Sequence, residues 1–324
     1  MDNQSFLYLS RHDVETVALP MADIIAGLEA MFAEKGRGLT EMPPKPGIHT
    51  QPDAFIHAMP AYIPSLGAAG VKWVSGYPAN QQKGLPYISG LLILNDPETG
   101  FPLAVMDCTW ITAQRTGAAT AVAAKYLARP ESRTAGIIAC GVQGRSNLEA
   151  LACQFKLEQV RCFDIHHDVA ERFATEMGAR LGLPITVVGN VREAVAGLDL
   201  VVTSGPILKH PLPAIEAGWL AAGAFASLVD FDSYWHGAAL AEADKLATDD
   251  QAQMRYYRES GYFQMTPEPY ADLGELAAGL KPGRTSASER TIAINLGIAL
   301  DDMATAIRIY QRAVQLGLGT RLPF

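Results

Sequence analysis

Short apolar runs alternate with helix-like segments through the middle of the chain. Helical spacing of apolar residues covers residues 148–155 and 169–181, between the first three of these runs. Continuous apolar runs separated by helices are typical of buried parallel strands whose sheet is covered on both faces. The pattern predicts a parallel-sheet α/β domain over residues 129–291. The predicted strands lie at residues 134–139, 160–163, 185–188, 198–203, 225–229 and 245–248.

The first 128 residues follow a different pattern. An amphipathic helix is predicted over residues 20–35, and an alanine-rich helix over residues 112–128. Between them, apolar runs broken by Pro and Gly predict a mixed or antiparallel sheet, with a hairpin turn at residues 95–100. These runs lie at residues 55–59, 70–74, 88–94 and 103–106.

The end of the chain is a long helix-like stretch over residues 291–316, without internal Pro. We expect it to return to the first domain. Residues 1–128 and 292–324 would then form one discontinuous α+β domain, beside a central α/β domain over residues 129–291.

Composition agrees with a folded protein of two domains. The chain has 324 residues, of which 49% are hydrophobic and 19% charged. The net charge of −8 argues against a nucleic-acid partner, which needs a basic patch. The four cysteines form no C-x-x-C pair, and we interpret them as reduced thiols of a cytosolic protein. We expect neither a signal peptide nor a membrane span.

A glycine-containing turn joins the first predicted strand of the central domain to its first helix. It has the sequence ACGVQGR over residues 139–145. In dinucleotide-binding folds, glycines here let the backbone approach a pyrophosphate, and the helix N-terminus offers free N–H groups. Ala139 stands where the regular fingerprint has its first glycine, so the motif alone also fits a plain strand-to-helix turn. The candidate cofactor contacts are Gly141, Val142, Gln143, Gly144 and Arg145, together with Thr116, Thr203 and Ser204.

The acidic residue Asp164 follows the next predicted strand. It stands about 20 residues beyond the turn, where a carboxylate binds the ribose hydroxyls of NAD. It would repel the 2′-phosphate of NADP, so the sequence predicts NAD(H). NADP(H) stays an alternative, because Arg145 could turn toward that phosphate. A helix cap or a surface carboxylate is the other interpretation of Asp164.

Several motifs occur in order along nearly the whole chain, and together they resemble the ornithine cyclodeaminase/mu-crystallin family. The resemblance implies a Rossmann domain and a discontinuous domain that binds substrate and forms a homodimer. It also implies hydride exchange between a nicotinamide and the α-carbon of an amino or imino acid. The motifs are GVKWV at 70–74, PAN at 78–80, GLP at 84–86, TAQRTGAA at 112–119, GVQGR at 141–145 and PGRTS at 282–286.

Cations for a substrate carboxylate are the first site residues that the resemblance implies. Arg115 is similar to the family's carboxylate-binding arginine, whose planar fork suits bidentate binding. Lys72 is implied to contact the carboxylate and to relay a proton, since a buried lysine can have a lowered pKa. Lys45 lies where many members carry an arginine, and a plain surface lysine is the alternative.

The catalytic acid is the second implied feature. Asp232, after the fifth predicted strand, is similar to the family's catalytic aspartate and is expected to hold and protonate the amino or imino nitrogen. Asp230 is a rival two residues earlier. His57 stands where ornithine and lysine cyclodeaminases have a glutamate near the substrate, and a structural histidine is the alternative. The scattered histidines predict no metal site.

The predicted function is therefore NAD(H)-dependent reduction of a small imino or ketimino acid, or the reverse dehydrogenation of an amino acid. A cyclodeaminase that releases ammonia is one alternative, and His57 speaks against it. A non-catalytic binding protein like mu-crystallin is the other, and the retained Lys72, Arg115 and Asp232 speak against it. We expect a cytoplasmic homodimer without nucleic-acid or membrane partners.

Overall fold

The computed structural model describes residues 5–324. Residues 1–4 and the side chain of Gln81 are not described. The expectation of no signal peptide falls partly on residues 1–4 and so lies outside the described residues. The chain folds as two compact units. The flanking unit contains the described residues up to Arg115 together with Ile298–Phe324, and the central unit is Thr116–Gly297.

The flanking unit is built on a seven-stranded mixed sheet. Within the described residues, β1 and β6 form its one parallel pair, and the neighbouring pairs are antiparallel. The strand order is β15-β1-β6-β5-β4-β3-β2. The strands are β1 Ser5–Leu9, β2 Gly47–Ile48, β3 Phe55–Ile63, β4 Ala68–Gly76, β5 Ile88–Asn95, β6 Pro102–Asp107 and β15 Thr320–Pro323.

Helices cover one face of this sheet. Helix α9, Ala299–Leu316, contacts β3, β4 and β5, and α2, Met21–Gly36, packs on α9. The short helix α1, Arg11–Thr16, begins with a capping box formed by Ser10 and Asp13. Because side chains alternate along a strand, β3, β4 and β5 bury one set of residues under α9 and turn the other set outward.

The central unit carries the predicted parallel sheet. It has eight strands in the order β13-β12-β14-β11-β10-β7-β8-β9, and the paired strands are parallel. The strands are β7 Thr134–Ile138, β8 Gln159–Phe163, β9 Ile185–Val187, β10 Leu200–Thr203, β11 Phe225–Leu228, β12 Lys245–Thr248, β13 Ala271–Asp272 and β14 Thr291–Ile294. Helix α3, Thr109–Leu127, begins in the flanking unit and continues into the central unit. The other helices of the central unit are α4 Val142–Gln154, α5 His167–Leu181, α6 Gly237–Leu240, α7 Gln251–Glu259 and α8 Leu273–Ala277.

The predicted helix over residues 291–316 is wrong in its first part. Thr291–Ile294 is the strand β14, which lies fully buried between β11 and β12. An apolar run with β-branched residues and no polar face suits a strand that is covered on both sides. The helix begins only at Ala299, after Gly297 has turned the chain with a φ of +75°.

The boundaries of the two units differ from those expected after residues 128 and 291. Helix α3 runs through the first boundary: Arg115 pairs with Asp302 of the flanking unit, while Thr120 hydrogen-bonds Ser227 of β11 at 2.7 Å. The second boundary moves because β14 completes the central sheet. Among the described helices, none combines the length and apolar character needed to cross a membrane.

Candidate active site

Two cations and two carboxylates are buried together in the flanking unit. Lys72 Nζ lies 2.6 Å from Asp302 Oδ2. Arg115 Nε lies 3.1 Å from Asp302 Oδ1, and Arg115 Nη1 lies 3.6 Å from Asp301 Oδ2. All four residues are buried, and Lys72, Asp301 and Asp302 are 0% exposed. These four residues are called the charge cluster below.

Local structure explains how each member reaches the charge cluster. Lys72 lies on the side of β4 that also buries Val74, while Trp73 between them points outward. Arg115 lies in the second turn of α3. Asp301 and Asp302 occupy the first turn of α9, where the helix dipole favours negative charge. The sequence prediction found the two cations and missed the two carboxylates, whose one signal was a pair of acids inside an apolar helical run.

The environment of Lys72 affects its protonation. Burial lowers the pKa of Lys72 below its ordinary value, Asp302 raises it, and Arg115 lowers it again. Lys72 Nζ also lies 3.4 Å from Thr112 Oγ1. A buried site with two cations held by fixed partners can bind an anionic group such as a carboxylate.

Lys45 and His57 are also buried in the flanking unit, at 7% and 8% exposure. The alternative of a surface lysine at position 45 is therefore wrong. His57 stacks on Phe55 with ring centroids 4.3 Å apart. The pKa of His57 is lowered to about 3, first by burial and then by Lys45, His49 and Lys72. The imidazole is thus neutral near pH 7 and offers no fixed charge to a substrate.

The glycine-containing turn of the central unit has the form that a dinucleotide needs. Gly141 is the N-cap of α4, with no side-chain cap, and a Cβ placed on it would meet nothing within 4 Å. A Cβ on Gly144 would lie 2.6 Å from the carbonyl oxygen of Ala139, so glycine is required there for close packing. Open space above a helix N-terminus fits a pyrophosphate. Val142 and Gln143 belong to the same first turn.

Ala139 stands in place of the first glycine of the usual fingerprint and has a left-handed backbone conformation. Its φ is +69°, in the left-handed region that an L-residue enters at a cost of about 1–2 kcal/mol. The turn therefore holds an alanine in a conformation that usually requires glycine.

Asp164 and Arg145 lie on either side of this turn. Asp164 Oδ2 accepts a hydrogen bond from Cys140 N at 2.8 Å, and Oδ1 accepts one from His166 N at 2.9 Å. Arg145 donates through Nε and Nη2 to Glu176 Oε2, at 2.9 and 2.6 Å. Because a carboxylate already engages Arg145, the structure argues against its use as a receptor for a 2′-phosphate.

The remaining candidate cofactor residues gather at the same edge of the sheet. Ile138 pairs with both Phe163 and Thr203, so Asp164 and Ser204 follow at one level beside the turn. Ser204 Oγ donates to Ala139 O at 2.8 Å. Thr116 is buried next to Gly117, where a Cβ would lie 2.3 Å from Ser146 O of α4. Carboxyl ends of parallel strands are where such sheets bind ligands.

Asp230 and Asp232 follow β11 at this edge and have different surroundings. Asp230 is fully paired: Oδ1 accepts from Thr203 Oγ1 at 2.7 Å, and Oδ2 accepts from Gly205 N at 2.9 Å. Burial raises the pKa of Asp230 to about 7. Phe231 between the two acids has a φ of +61°, so the strand has ended and the two side chains diverge.

Asp232 is only half satisfied. It is 3% exposed, and its Oδ2 accepts from Thr266 Oγ1 at 2.8 Å. Its Oδ1 is buried and has no hydrogen-bond partner among the described residues. Burial raises the pKa of Asp232, while Thr266 and Arg258 lower it. A buried carboxylate with one open oxygen and a raised pKa suits proton exchange with a ligand.

The parallel sheet with its dinucleotide turn defines a nucleotide-binding α/β protein of Rossmann type. The model of the ornithine cyclodeaminase/mu-crystallin family matches residues 5–317, and the chain belongs to this family. The family and the fold class predicted from the sequence are thus confirmed. Over residues 5–324, no group of three or more His, Cys, Asp or Glu side chains forms a potential metal site.

Three relatives illustrate the likeness. The nodulation efficiency protein NfeD of Rhizobium meliloti is 37% identical over 320 residues, which are 97% of each chain. The structure of Thermococcus litoralis Δ1-pyrroline-2-carboxylate reductase with NADH and L-proline is 34% identical, with a TM-score of 0.89 over 98% of this chain and 100% of that one. An archaeal alanine dehydrogenase dimer with bound NAD is also 34% identical, with a TM-score of 0.89 over 99% of this chain and 100% of that one.

Proposed function

We propose that the protein is an NAD(H)-dependent oxidoreductase that reduces a small α-imino or ketimino acid, or oxidises the corresponding amino acid. The observation that carries this proposal is Asp232. It is a buried, half-satisfied acid that follows β11 at the same sheet edge as the dinucleotide turn. The compared reductase and alanine dehydrogenase, which hold NADH and NAD, support the cofactor and the class of reaction.

The turn of the central unit fits NAD(H). The first turn of α4 would hold the pyrophosphate over Gly141, where no side chain intrudes. The carboxylate of Asp164 would accept hydrogen bonds from the ribose hydroxyls through its remaining lone pairs. The nicotinamide, when bound, supplies or accepts the hydride. NADP(H) is disfavoured by the charge of Asp164 and by the Arg145–Glu176 pair.

Side chains of the protein would bind the substrate carboxylate and transfer the proton. Arg115 and Lys72 bind the substrate carboxylate, since they are the cations of the charge cluster. Asp232 donates a proton to the imine nitrogen during reduction and removes one from the amine during oxidation. An iminium accepts hydride far better than a neutral imine does, so this proton is part of the chemistry.

The structure bears differently on the two alternatives. A cyclodeaminase acting on ornithine needs a negative group for the distal amine, and the neutral, buried His57 supplies none. In a protein that only binds a ligand, a buried carboxylate oxygen without a hydrogen-bond partner, such as Asp232 Oδ1, would cost stability without contributing to catalysis. We therefore retain the reductase.

The outward face of the flanking sheet favours a homodimer. Trp73 pairs with Leu91, and Ile93 pairs with both Val71 and Val105, so a continuous apolar patch covers β4, β5 and β6. Trp73 is 50% exposed and Leu91 47%. Apolar patches of this kind on soluble proteins mark interaction sites. A second copy of this chain is the proposed partner, and light scattering should show a dimer that Trp73→Lys converts to a monomer.

A cytoplasmic location is part of the same proposal.

A cofactor oxidation screen tests the function. Purified protein is mixed with NADH or NADPH and with Δ1-pyrroline-2-carboxylate, or with pyruvate and either ammonia or methylamine. Consumption of NADH with formation of the amino acid supports the proposal. Absence of turnover with every imine, together with tight binding of small ligands, would favour the binding protein instead.

A further inference from the structure

One carboxylate of the flanking unit bridges both cations that are proposed to bind substrate. Asp302 Oδ2 lies 2.6 Å from Lys72 Nζ, and Asp302 Oδ1 lies 3.1 Å from Arg115 Nε. Lys72 comes from β4, Arg115 from α3 and Asp302 from α9, so the bridge ties three elements together. Asp301 lies farther from Arg115, at 3.6 Å.

We propose that Asp302 is a positioning residue, which fixes Lys72 and Arg115 for the substrate carboxylate and keeps Lys72 protonated. This inference rests on the proposed function. Asp302 need not touch the substrate. It acts through the two cations, whose positions and charges it controls.

Burial makes this role necessary. Two neighbouring cations in a region that excludes water repel each other, and each loses its hydration. Asp302 is 0% exposed and lies in the first turn of the 18-residue helix α9, whose N-terminus stabilises its negative charge. With one cation at ion-pair distance from each of its oxygens, Asp302 fixes the two side-chain positions before substrate arrives. Such preorganisation matters because a displacement of about 1 Å can cost roughly 10²-fold in rate.

Protonation of Lys72 is the second consequence. The charged and polar groups that face its amine are Asp302 of α9, Arg115 and Thr112 of α3, Cys108 before α3 and His57 of β3. Burial and Arg115 lower the pKa of Lys72, and Asp302 raises it. Removal of the Asp302 charge should lower this pKa further. Since only protonated Lys72 attracts a carboxylate, the loss of kcat/KM at alkaline pH should then begin at lower pH.

The test compares Asp302→Asn, Asp302→Glu and the control Asp23→Asn. Asp23 is an exposed carboxylate in the first turn of α2, the other long helix of the flanking unit. Activity is measured with NADH and Δ1-pyrroline-2-carboxylate from neutral to alkaline pH, and NADH binding by fluorescence. Asp302→Asn should lose about 10²-fold in kcat/KM, bind NADH normally and show its alkaline limb at lower pH. In a Lys72→Arg background, Asp302→Asn should no longer move that limb.

A direct titration keeps the result independent of turnover. The ¹³Cε resonance of Lys72, assigned through Lys72→Arg, should titrate at lower pH in Asp302→Asn than in the wild type. If Asp302→Asn does not fold, Asp302→Glu replaces it: kcat/KM should fall while the Lys72 titration stays near its wild-type pH. An unshifted Lys72 titration in folded Asp302→Asn would overturn the inference, as would a shift of equal size in Asp302→Glu. Failure of the proposed function would instead appear as absent turnover in the wild type.

Discussion

Replacement of Asp232 by asparagine should remove proton exchange and leave the fold in place. The Asp232 carboxylate makes one described hydrogen bond, which Thr266 donates at 2.8 Å, and the carbonyl of asparagine can accept it equally well. The free energy of unfolding should therefore change by no more than about 1 kcal/mol. Asparagine cannot deliver or take a proton. The loss of general acid–base catalysis should lower kcat by ~10²–10⁴-fold, or about 3–5 kcal/mol of barrier.

Asp230→Asn is the matched control, because it should lower the stability of the fold and leave proton exchange at Asp232 in place. Asp230 accepts from two donors, the hydroxyl of Thr203 and the backbone N–H of Gly205. Asparagine has one acceptor oxygen, so its NH2 group must face either the N–H of Gly205, which can only donate, or the hydroxyl of Thr203, which then loses the acceptor for its proton. The buried mismatch should cost about 1–3 kcal/mol of stability. Its kcat should remain well above that of Asp232→Asn.

The assays are NADH oxidation with Δ1-pyrroline-2-carboxylate, urea unfolding and NADH binding for both variants. Burial raises the pKa of Asp232, so this acid keeps its proton to higher pH than an exposed aspartate. Reduction needs the protonated form, and kcat/KM should therefore fall as pH rises through that pKa. This limb is separate from the alkaline limb set by Lys72. It should be absent in Asp232→Asn, in which the Lys72 limb should remain. Near-normal kcat in Asp232→Asn, together with an inactive but stable Asp230→Asn, would show that the acid is Asp230.

Four further outcomes are expected. Arg115→Ala should lose about 2–5 kcal/mol of transition-state stabilisation in kcat/KM while NADH affinity stays close to normal, and unchanged kcat/KM would remove Arg115 from the site. Because of Asp164, kcat/KM should favour NADH over NADPH by about 10²-fold, and a preference for NADPH would contradict that role. L-Ornithine should be a poor substrate beside the neutral His57, so efficient ammonia release from it would refute the specificity argument. Ala139→Gly should raise the free energy of unfolding by about 1 kcal/mol by relieving the positive φ, and a loss of stability would argue that Ala139 is not strained.

Much of the fold could be predicted from the sequence, because its strands and helices have distinct apolar patterns. The error at β14 shows the limit. Residues 291–294 and the first two residues of the helix from Ala299 lie in one largely apolar stretch without Pro, and Gly297 is its one turn signal. The buried position of Thr291–Ile294 between two other strands is a property of the sheet, which local pattern does not contain.

The site residues that lie in sequence motifs could be predicted, whereas those whose role depends on the tertiary structure could not. Lys72 and Arg115 lie in recognisable motifs, whereas Asp301 and Asp302 gain meaning only when α9 packs on β4. The choice between Asp230 and Asp232 depends on the backbone of Phe231. Its positive φ cannot be predicted from the residue type. Ala139 is a similar case, since an alanine keeps a conformation that usually requires glycine.

In the proposed reaction, hydride passes between NADH and the α-carbon of an imino acid. The most direct measurement uses NADH with deuterium at both C4 positions and Δ1-pyrroline-2-carboxylate, with the product examined by mass spectrometry and NMR. Direct hydride transfer should give proline with a single deuterium on its α-carbon, formed in equal amount to the NAD produced. Oxidation of the cofactor without deuterium in the amino acid, or no proline at all, would contradict it.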